Sequence, residues 1–295
     1  MSEEIKTGFV KVKSVLTKSD LPIAGYSVNP YIGCTHACRY CYAWFMKRFT
    51  GHAEPWGTFL DVKYWDKIKN PRKYDGQTMI VGSVTDAYNP QEEQFCRTRE
   101  FLEEMQGSNI NLIVTTKSDL VVRDLDLIKT FPSPLVSWSI NTLDEKFKDD
   151  MDKAVSVQRR IAAMKKCHDE GIRTTCFISP IFPEITDVFA IIDKIKDFCD
   201  YIWLENLNLR GNFKADIMNY IAEKYPDLKS LYQQIYTKND VTYWEILNRQ
   251  VEEYATKNGL MHVTDKEPFL RDPNGKPVII NYFYHSQIKQ SAKRQ

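Results

Sequence analysis

Residues 29–43 read NPYIGCTHACRYCYA and put Cys34, Cys38 and Cys41 in one short loop. The spacing C-x3-C-x2-C lets three thiolates turn toward one metal centre, and Gly33 permits the tight entry. A [4Fe–4S] cluster usually takes four thiolates. Three leave one iron open to a ligand the protein does not supply, which suits chemistry better than plain electron transfer. The bland alternative is a structural zinc, with His36 as the fourth ligand. Zinc more often takes two separated ligand pairs, and four ligands this close in sequence crowd a tetrahedron.

Outward from the loop, short β-branched and aromatic runs alternate with longer helical stretches. Strands are predicted over 25–28, 78–84, 111–116, 135–140, 173–178 and 201–204. Helices are predicted over 91–106, 156–170 and 186–198. Strand–helix alternation of this kind gives a parallel sheet with crossover helices, and functional groups then lie on loops after strand C-termini. The cysteine loop directly follows the first strand, as that rule requires. Residues 1–23 form an N-terminal extension with one strand, GFVKVKSVL, and 24–211 form the core. Residues 212–295 are helical and Tyr-rich at first, then carry a turn at 272–275 between two apolar runs, which reads as a hairpin. A parallel doubly wound sheet is the alternative that spacing leaves open.

The chain has 295 residues, 43% of them hydrophobic, enough for one large α/β domain with an appendage. The net charge of +1 gives no global electrostatic footprint for nucleic acid. The charged start, MSEEIKTGFVKVKS, is not a secretory signal, and no run is long and apolar enough to span a membrane. Seven cysteines without a signal favour a reducing cytoplasm over a disulfide framework. Cys96, Cys167, Cys176 and Cys199 are scattered, and Cys176 and Cys199 lie in core-like runs.

With Tyr40 as the aromatic of C-x3-C-x-aromatic-C, the loop resembles the signature of the radical S-adenosylmethionine (SAM) superfamily. The wider string resembles the branch of spore photoproduct lyase and its DNA-repair-photolyase-like relatives. Companion strings follow in order: VGSVTDAYNPQE from Val81, TTKSDLVVRDLDLI from Thr115, SWSINTLDE from Ser137 and ENLNLRG from Glu205. The resemblance covers roughly residues 24–211 and implies an α/β fold, the partial (βα)6 TIM-like barrel of the radical SAM type, with a mainly helical C-terminal extension closing its open end.

The resemblance also implies chemistry. Cys34, Cys38 and Cys41 would bind three irons of a [4Fe–4S] cluster, and SAM would chelate the fourth. An electron from the cluster would cleave SAM to a 5′-deoxyadenosyl radical that abstracts hydrogen from a substrate. Thr85 and Asp86 would approach the methionine amine, and Lys117 the carboxylate as a point charge. Ser139 and Asn141 would bond ribose hydroxyls and the carboxylate. Tyr40 would pack near adenine, and Glu205 and Asn206 would reach the ligand or pair with Arg210. Tyr42 matches a tyrosine that the lyases use in radical transfer. Where spore photoproduct lyase has its hydrogen-donating cysteine this chain has Val84, so that repair chemistry is not expected. The family implies a flavodoxin or ferredoxin reductant. The substrate is open between nucleic acid and a peptide or small molecule. Trp203, Tyr236, Trp244, Tyr282, Phe283 and Tyr284 could stack a base, though such residues more often form core. Two other readings are a non-catalytic zinc or iron–sulfur module, which needs none of the companion strings, and an electron carrier, which would want a fully ligated cluster.

Overall fold

The computed structural model describes residues 5–21, 23–209, 211, 213–264 and 272–281. Arg210, Tyr282, Phe283 and Tyr284 lie outside the described residues. The chain divides into two compact units, Met1–Ser139 with Asp152–Thr175, and Ile140–Met151 with Cys176–Gln295.

In the first unit, β1 (Lys6–Lys11) runs parallel to β5 (Phe59–Tyr64), which pairs antiparallel with β4 (Tyr31–Ile32). A second set of strands runs β2 (Leu16–Lys18), β3 (Tyr26–Val28), β6 (Thr78–Val81), β7 (Asn111–Thr116) and β8 (Leu135–Ser139). Of these, β2–β3 is antiparallel, while β3–β6, β6–β7 and β7–β8 are parallel. The parallel strands are near-continuous apolar runs because both faces are covered. Val28, Met79, Val81, Leu112, Val114, Val136 and Trp138 are fully buried, and the Trp138 indole donates to the Ser118 carbonyl at 3.0 Å.

Most expected strands appear with shifted ends, and β6 stops at Val81, so Val84 and Thr85 lie on the following loop. The cysteine loop does not follow the first strand directly, because β4 intervenes and reaches to β5. The single helix expected over 91–106 is broken into α1 (Glu92–Phe95) and α2 (Arg97–Glu104) at Cys96, which is left-handed with φ 50°. The break has a chemical cause. The fully buried Glu92 carboxylate accepts from the Thr98 and Arg99 amides at 2.9 and 3.2 Å, satisfying donors that open α2. Arg123, just before α3 (Leu125–Ile128), pairs with Glu92 at 2.6 Å and compensates its charge.

Helix α4 (Glu145–Met151) belongs to the second unit and α5 (Val157–Asp169) to the first. The Ser156 hydroxyl caps α5 by accepting from the Arg159 amide at 3.3 Å. In the second unit, β9 (Arg173–Ile181, most of it in this unit) neighbours β10 (Tyr201–Asn206), with α6 (Val188–Ile195) between them in sequence. Helices α7 (Phe213–Lys224), α8 (Lys229–Thr237) and α9 (Thr242–Asn258) follow. Next, β11 (Met261–Thr264) and β12 (Val278–Asn281) run parallel, with β12 between β11 and β10. The first arm of the expected hairpin lies outside the described residues, while β12 pairs in parallel with both of its neighbours. The turn is present, closed by the Asp272 carboxylate on the Asn274 amide at 2.8 Å, but it delivers β12 as an inserted parallel strand. Val278, Ile279 and Ile280 are buried there, an interior position that rewards a run apolar on both faces. Cys167, Cys176 and Cys199 are buried, as are Trp203, Tyr236 and Trp244, so these aromatics are core rather than a stacking platform.

Candidate active site

Gly33 opens the cysteine loop with φ 91°, and a Cβ there would lie 2.4 Å from the Phe59 carbonyl oxygen. Gly33→Ala should therefore cost roughly 3 kcal/mol or more, from a strained backbone plus overlap with main chain. The expected result is a melting temperature several degrees lower together with reduced iron uptake. Within the loop, the Ala37 amide donates to the Cys34 carbonyl at 3.2 Å and the Cys41 amide to the Cys38 carbonyl at 3.1 Å, two successive turns that carry the three cysteines.

The loop is fastened to the segment after β6. The Asn29 amide group donates to the Ser83 hydroxyl and its oxygen accepts from the Val84 amide, both at 3.0 Å. The Thr85 hydroxyl donates to the Gly33 carbonyl, and the Thr35 hydroxyl to Gln91 at 2.8 Å. His36 Nε2 faces Asp86 Oδ2 at 3.0 Å, with both side chains buried. The Lys153 amide donates to the His36 carbonyl at 2.7 Å.

All seven cysteines are free thiols. Burial pushes Cys34 up to about 12, with the Asp86 and Cys41 charges adding to it. Burial also raises Cys38, where Cys41 and Cys34 oppose the thiolate and only Lys117 favours it. Cys41 is raised by burial as well. The negative charge on each thiolate would count against its neighbours in the loop, so the set calls for more positive charge than Lys117 brings. A bound iron–sulfur group would supply that charge and deprotonate them. The donor set fits such a group. His36 Nε2 is held by Asp86, while its buried Nδ1 has no partner. Among the described residues, no group of three or more His, Cys, Asp or Glu is gathered for a single ion.

Beside the cysteines lies a buried ionic network. Asp152 accepts from Arg160 Nη2 at 2.7 Å and from the Tyr40 hydroxyl at 3.2 Å. Lys117 Nζ donates to the Tyr40 hydroxyl at 2.9 Å and lies 3.5 Å from Asp152. Arg160 also donates to the Val155 and Ser139 carbonyls at 2.9 and 3.2 Å. Burial alone would raise the Asp152 carboxyl; the Lys117 and Arg160 charges outweigh it and hold the group at about 2. For Asp86 too, burial is outweighed, by the His36 ring, the Lys117 amide and the Thr116 hydroxyl, so its carboxyl lies below the usual range.

A depressed carboxylate contributes stability that is present above its unfolded value and lost as pH falls through the folded one. For Asp152 that window runs from 3.8 down to about 2 and is worth on the order of 2 kcal/mol. In urea unfolding of the metal-free protein, the wild type should lose about 2 kcal/mol more than Asp152→Asn between pH 6 and pH 2. Equal losses would remove Asp152 from this role.

The first unit thus brings Cys34, Cys38, Cys41, Tyr40, Thr85, Asp86 and Lys117 together. The Asp86 carboxylate is occupied on both oxygens, by the Tyr88 and Lys117 amides, Thr116 and His36. Tyr42 is 62% exposed and its hydroxyl donates to the Ser83 carbonyl. Ser139 ends β8 in the same unit, whereas Asn141 and Glu205 belong to the second unit. There the Asn141 carbonyl accepts from Thr186 at 2.8 Å while its buried Nδ2 has no partner, and Ser179 donates to Glu205 at 2.7 Å. Sequence reasoning missed Asp152, Arg160 and the His36–Asp86 pair. Only their place beside strand ends and the cysteine loop could have suggested them.

A family model described as the radical SAM superfamily matches residues 28–195. An uncharacterized protein of Methanocaldococcus jannaschii is 37% identical over 230 residues, 77% of this chain and 86% of that protein. One from Mycobacterium tuberculosis is 26% identical over 274 residues, 84% of this chain and 79% of that protein. Among solved structures, a spore photoproduct lyase mutant with bound AdoMet and dinucleoside spore photoproduct matches with a TM-score of 0.54 at 16% identity, over 75% of this chain and 66% of that one. Streptococcus suis SuiB bound to precursor peptide SuiA matches with a TM-score of 0.54 at 14% identity, over 91% of this chain and 50% of that one. At these identities the structural likenesses carry the fold alone, α/β with a mostly parallel sheet.

Proposed function

The chain belongs to the radical SAM superfamily, which marks it as an enzyme, and from that premise we propose that Cys34, Cys38 and Cys41 hold a [4Fe–4S] cluster whose open iron takes SAM. The observation that carries this reading is a loop of three free, mutually interacting thiols inside the stretch the family model matches. When bound, the cluster would supply the electron that cleaves a carbon–sulfur bond of SAM, leaving a 5′-deoxyadenosyl radical to take hydrogen from the substrate.

The remaining work falls to side chains. The Lys117 ammonium has three donors, one of them given to Tyr40, and a SAM carboxylate would take another. The segment headed by Thr85 and Asp86 approaches the methionine amine, and Tyr40 packs near adenine. Ser139 and Asn141 bond ribose hydroxyls and the carboxylate; the unpartnered, buried Asn141 Nδ2 supports this, since a ligand oxygen would satisfy it. Glu205, at the end of β10, reaches the ligand, and Tyr42 transfers a radical. On this reading residues 24–211 form a partial (βα)6 barrel preceded by the 1–23 extension, and 212–295, with α7 to α9, closes its open end.

The substrate is a nucleic acid, a peptide or a small molecule; one structural neighbour was solved with a dinucleoside photoproduct and another with a precursor peptide. Valine at position 84 cannot give up a hydrogen atom as a cysteine does, so repair of the spore photoproduct through such a donor is not proposed. A flavodoxin or ferredoxin supplies the electron. Seven free thiols suit a cytoplasmic setting. No helix among the described residues is long and apolar enough to cross a membrane.

The test is anaerobic reconstitution with iron and sulfide, reduction with dithionite, and assay for 5′-deoxyadenosine from SAM. A brown protein that makes it supports the reading, and deuterium incorporation then screens DNA, RNA and peptides. A colourless, zinc-bearing protein that makes none would replace it with a non-catalytic metal module. If nucleic acid is the substrate, binding should weaken steeply with salt, which a shift assay at several salt concentrations would register.

A further inference from the structure

Directly after Cys41 the chain forms a short 3₁₀ helix, Tyr42–Phe49, in which Ala43 alone is buried. Phe49 is 66% exposed and Tyr42 62%, so two aromatic rings meet solvent where such rings usually pack inside. Arg48 lies over two rings of the same helix: its guanidinium is 4.6 Å from the centre of Phe49 and 5.5 Å from that of Phe45. Stacking of this kind fixes a cation at the surface. Lys47 is held by its bond to the Ala53 carbonyl at 2.9 Å.

The charge around this helix has one sign. Residues 34–53 contain Arg39, Lys47 and Arg48 and no Asp or Glu. The exposed Lys153 adds a cation beside the loop, since its amide is bonded to the His36 carbonyl. Glu54, the next carboxylate along the chain, is paired with Lys6 and His52. The near-zero net charge of the whole chain therefore conceals a local positive excess beside the cysteines.

We propose that the helix Tyr42–Phe49 is the docking surface for an acidic electron-carrier protein, with Phe49 as its apolar anchor and Arg48 as the cation that meets a carboxylate of the carrier. The proposal rests on the cluster reading above. The surface begins at the residue after a cluster cysteine, and electron tunnelling weakens steeply with distance, so a carrier has to seat close to that loop. The absence of carboxylates from 34–53 leaves positive charge for an acidic surface to complement. A few exposed rings among cations suit a small interface, which a carrier that leaves after each electron requires. In the transfer one electron leaves the carrier, which is oxidised, and reduces the group held by Cys34, Cys38 and Cys41; no bond forms or breaks.

The probe is a purified flavodoxin, photoreduced, presented to the reconstituted wild type and to Arg48→Glu. Binding is read from the anisotropy of labelled flavodoxin, and 5′-deoxyadenosine formation is driven either by flavodoxin or by dithionite. At low salt Arg48→Glu should bind flavodoxin about tenfold more weakly and turn over about tenfold more slowly with it, while the dithionite-driven rate and the iron content stay within about twofold. Wild-type binding should weaken as salt rises, and binding by the variant should respond less. Phe49→Ser should weaken binding and keep the wild-type salt dependence. Equal flavodoxin binding by wild type and Arg48→Glu would overturn the proposal and leave the cluster standing. A matching fall with dithionite would also overturn it, by placing Arg48 in the catalytic machinery. A labelled single-stranded oligonucleotide that binds the wild type, displaces flavodoxin and loses affinity in Arg48→Glu would overturn it in favour of a nucleic-acid surface. A wild type that takes up no iron–sulfur cluster would overturn the cluster reading and the proposal with it. Should Arg48→Glu fail to fold, Arg48→Gln keeps the stem over the rings, removes the charge and decides the matter by the same readings.

Discussion

Replacing Cys34, Cys38 or Cys41 by Ala is expected to bring iron and sulfide content after reconstitution to background and to abolish 5′-deoxyadenosine formation. Each thiolate would hold a different iron, so no remaining ligand can substitute for a lost one. The same changes should hardly alter the stability of the metal-free protein, within about 1 kcal/mol, because these thiols are half-buried and bridge nothing. Cys167, Cys176 and Cys199 predict the opposite pattern. They are buried, and the Cys199 thiol donates to the Tyr201 carbonyl at 2.9 Å while accepting from the Cys176 amide at 3.2 Å. Cys199→Ala should cost stability and leave iron uptake intact. The paired measurement is iron content against urea midpoint for each variant. Undiminished SAM cleavage in Cys38→Ala would falsify the assignment of the loop.

Asp152→Ala should destabilise the metal-free protein by roughly 3–5 kcal/mol, the usual cost of stripping the partner from a buried charge. The Arg160 side chain is fully buried and Lys117 nearly so, and Asp152 is the carboxylate that both face. The double variant Asp152→Ala/Arg160→Met should recover part of the loss, because it removes the orphaned cation as well. Chemical unfolding of the two singles and the double gives the coupling directly. Strictly additive losses would mean that Asp152 and Arg160 do not act as a pair. The single variant should also weaken SAM binding, since Asp152 and the Tyr40 hydroxyl fix where the Lys117 ammonium points.

What the sequence disclosed and what it hid follow different physics. The cysteine loop was legible because its information is local: spacing, Gly33 and an aromatic are all within a few residues. Strand β7 was legible because a run of β-branched residues buried on both faces has few alternative readings. The α1–α2 break at Cys96 was hidden, because it depends on a glutamate whose charge is compensated by Arg123, thirty-one residues away. Arg160 stands in no motif of the sequence, and only the Asp152 and Ser139 contacts give it a buried place. The insertion of β12 between β10 and β11 is a matter of long-range pairing order, which no window of sequence contains.

The fastening of the cysteine loop by Asn29, Thr35, His36 and Thr85 has a consequence for biogenesis. Each of these bonds is made between protein groups and reaches another part of the first unit. On the proposed reading, the loop that would hold the cluster is braced by contacts among side chains and backbone that are not themselves its proposed ligands. In the metal-free protein, the Ala37 and Cys41 amides should already exchange slowly with solvent deuterium. A maturation partner would then have to meet a folded surface, in contrast to small metal modules that acquire their shape and their metal in one step.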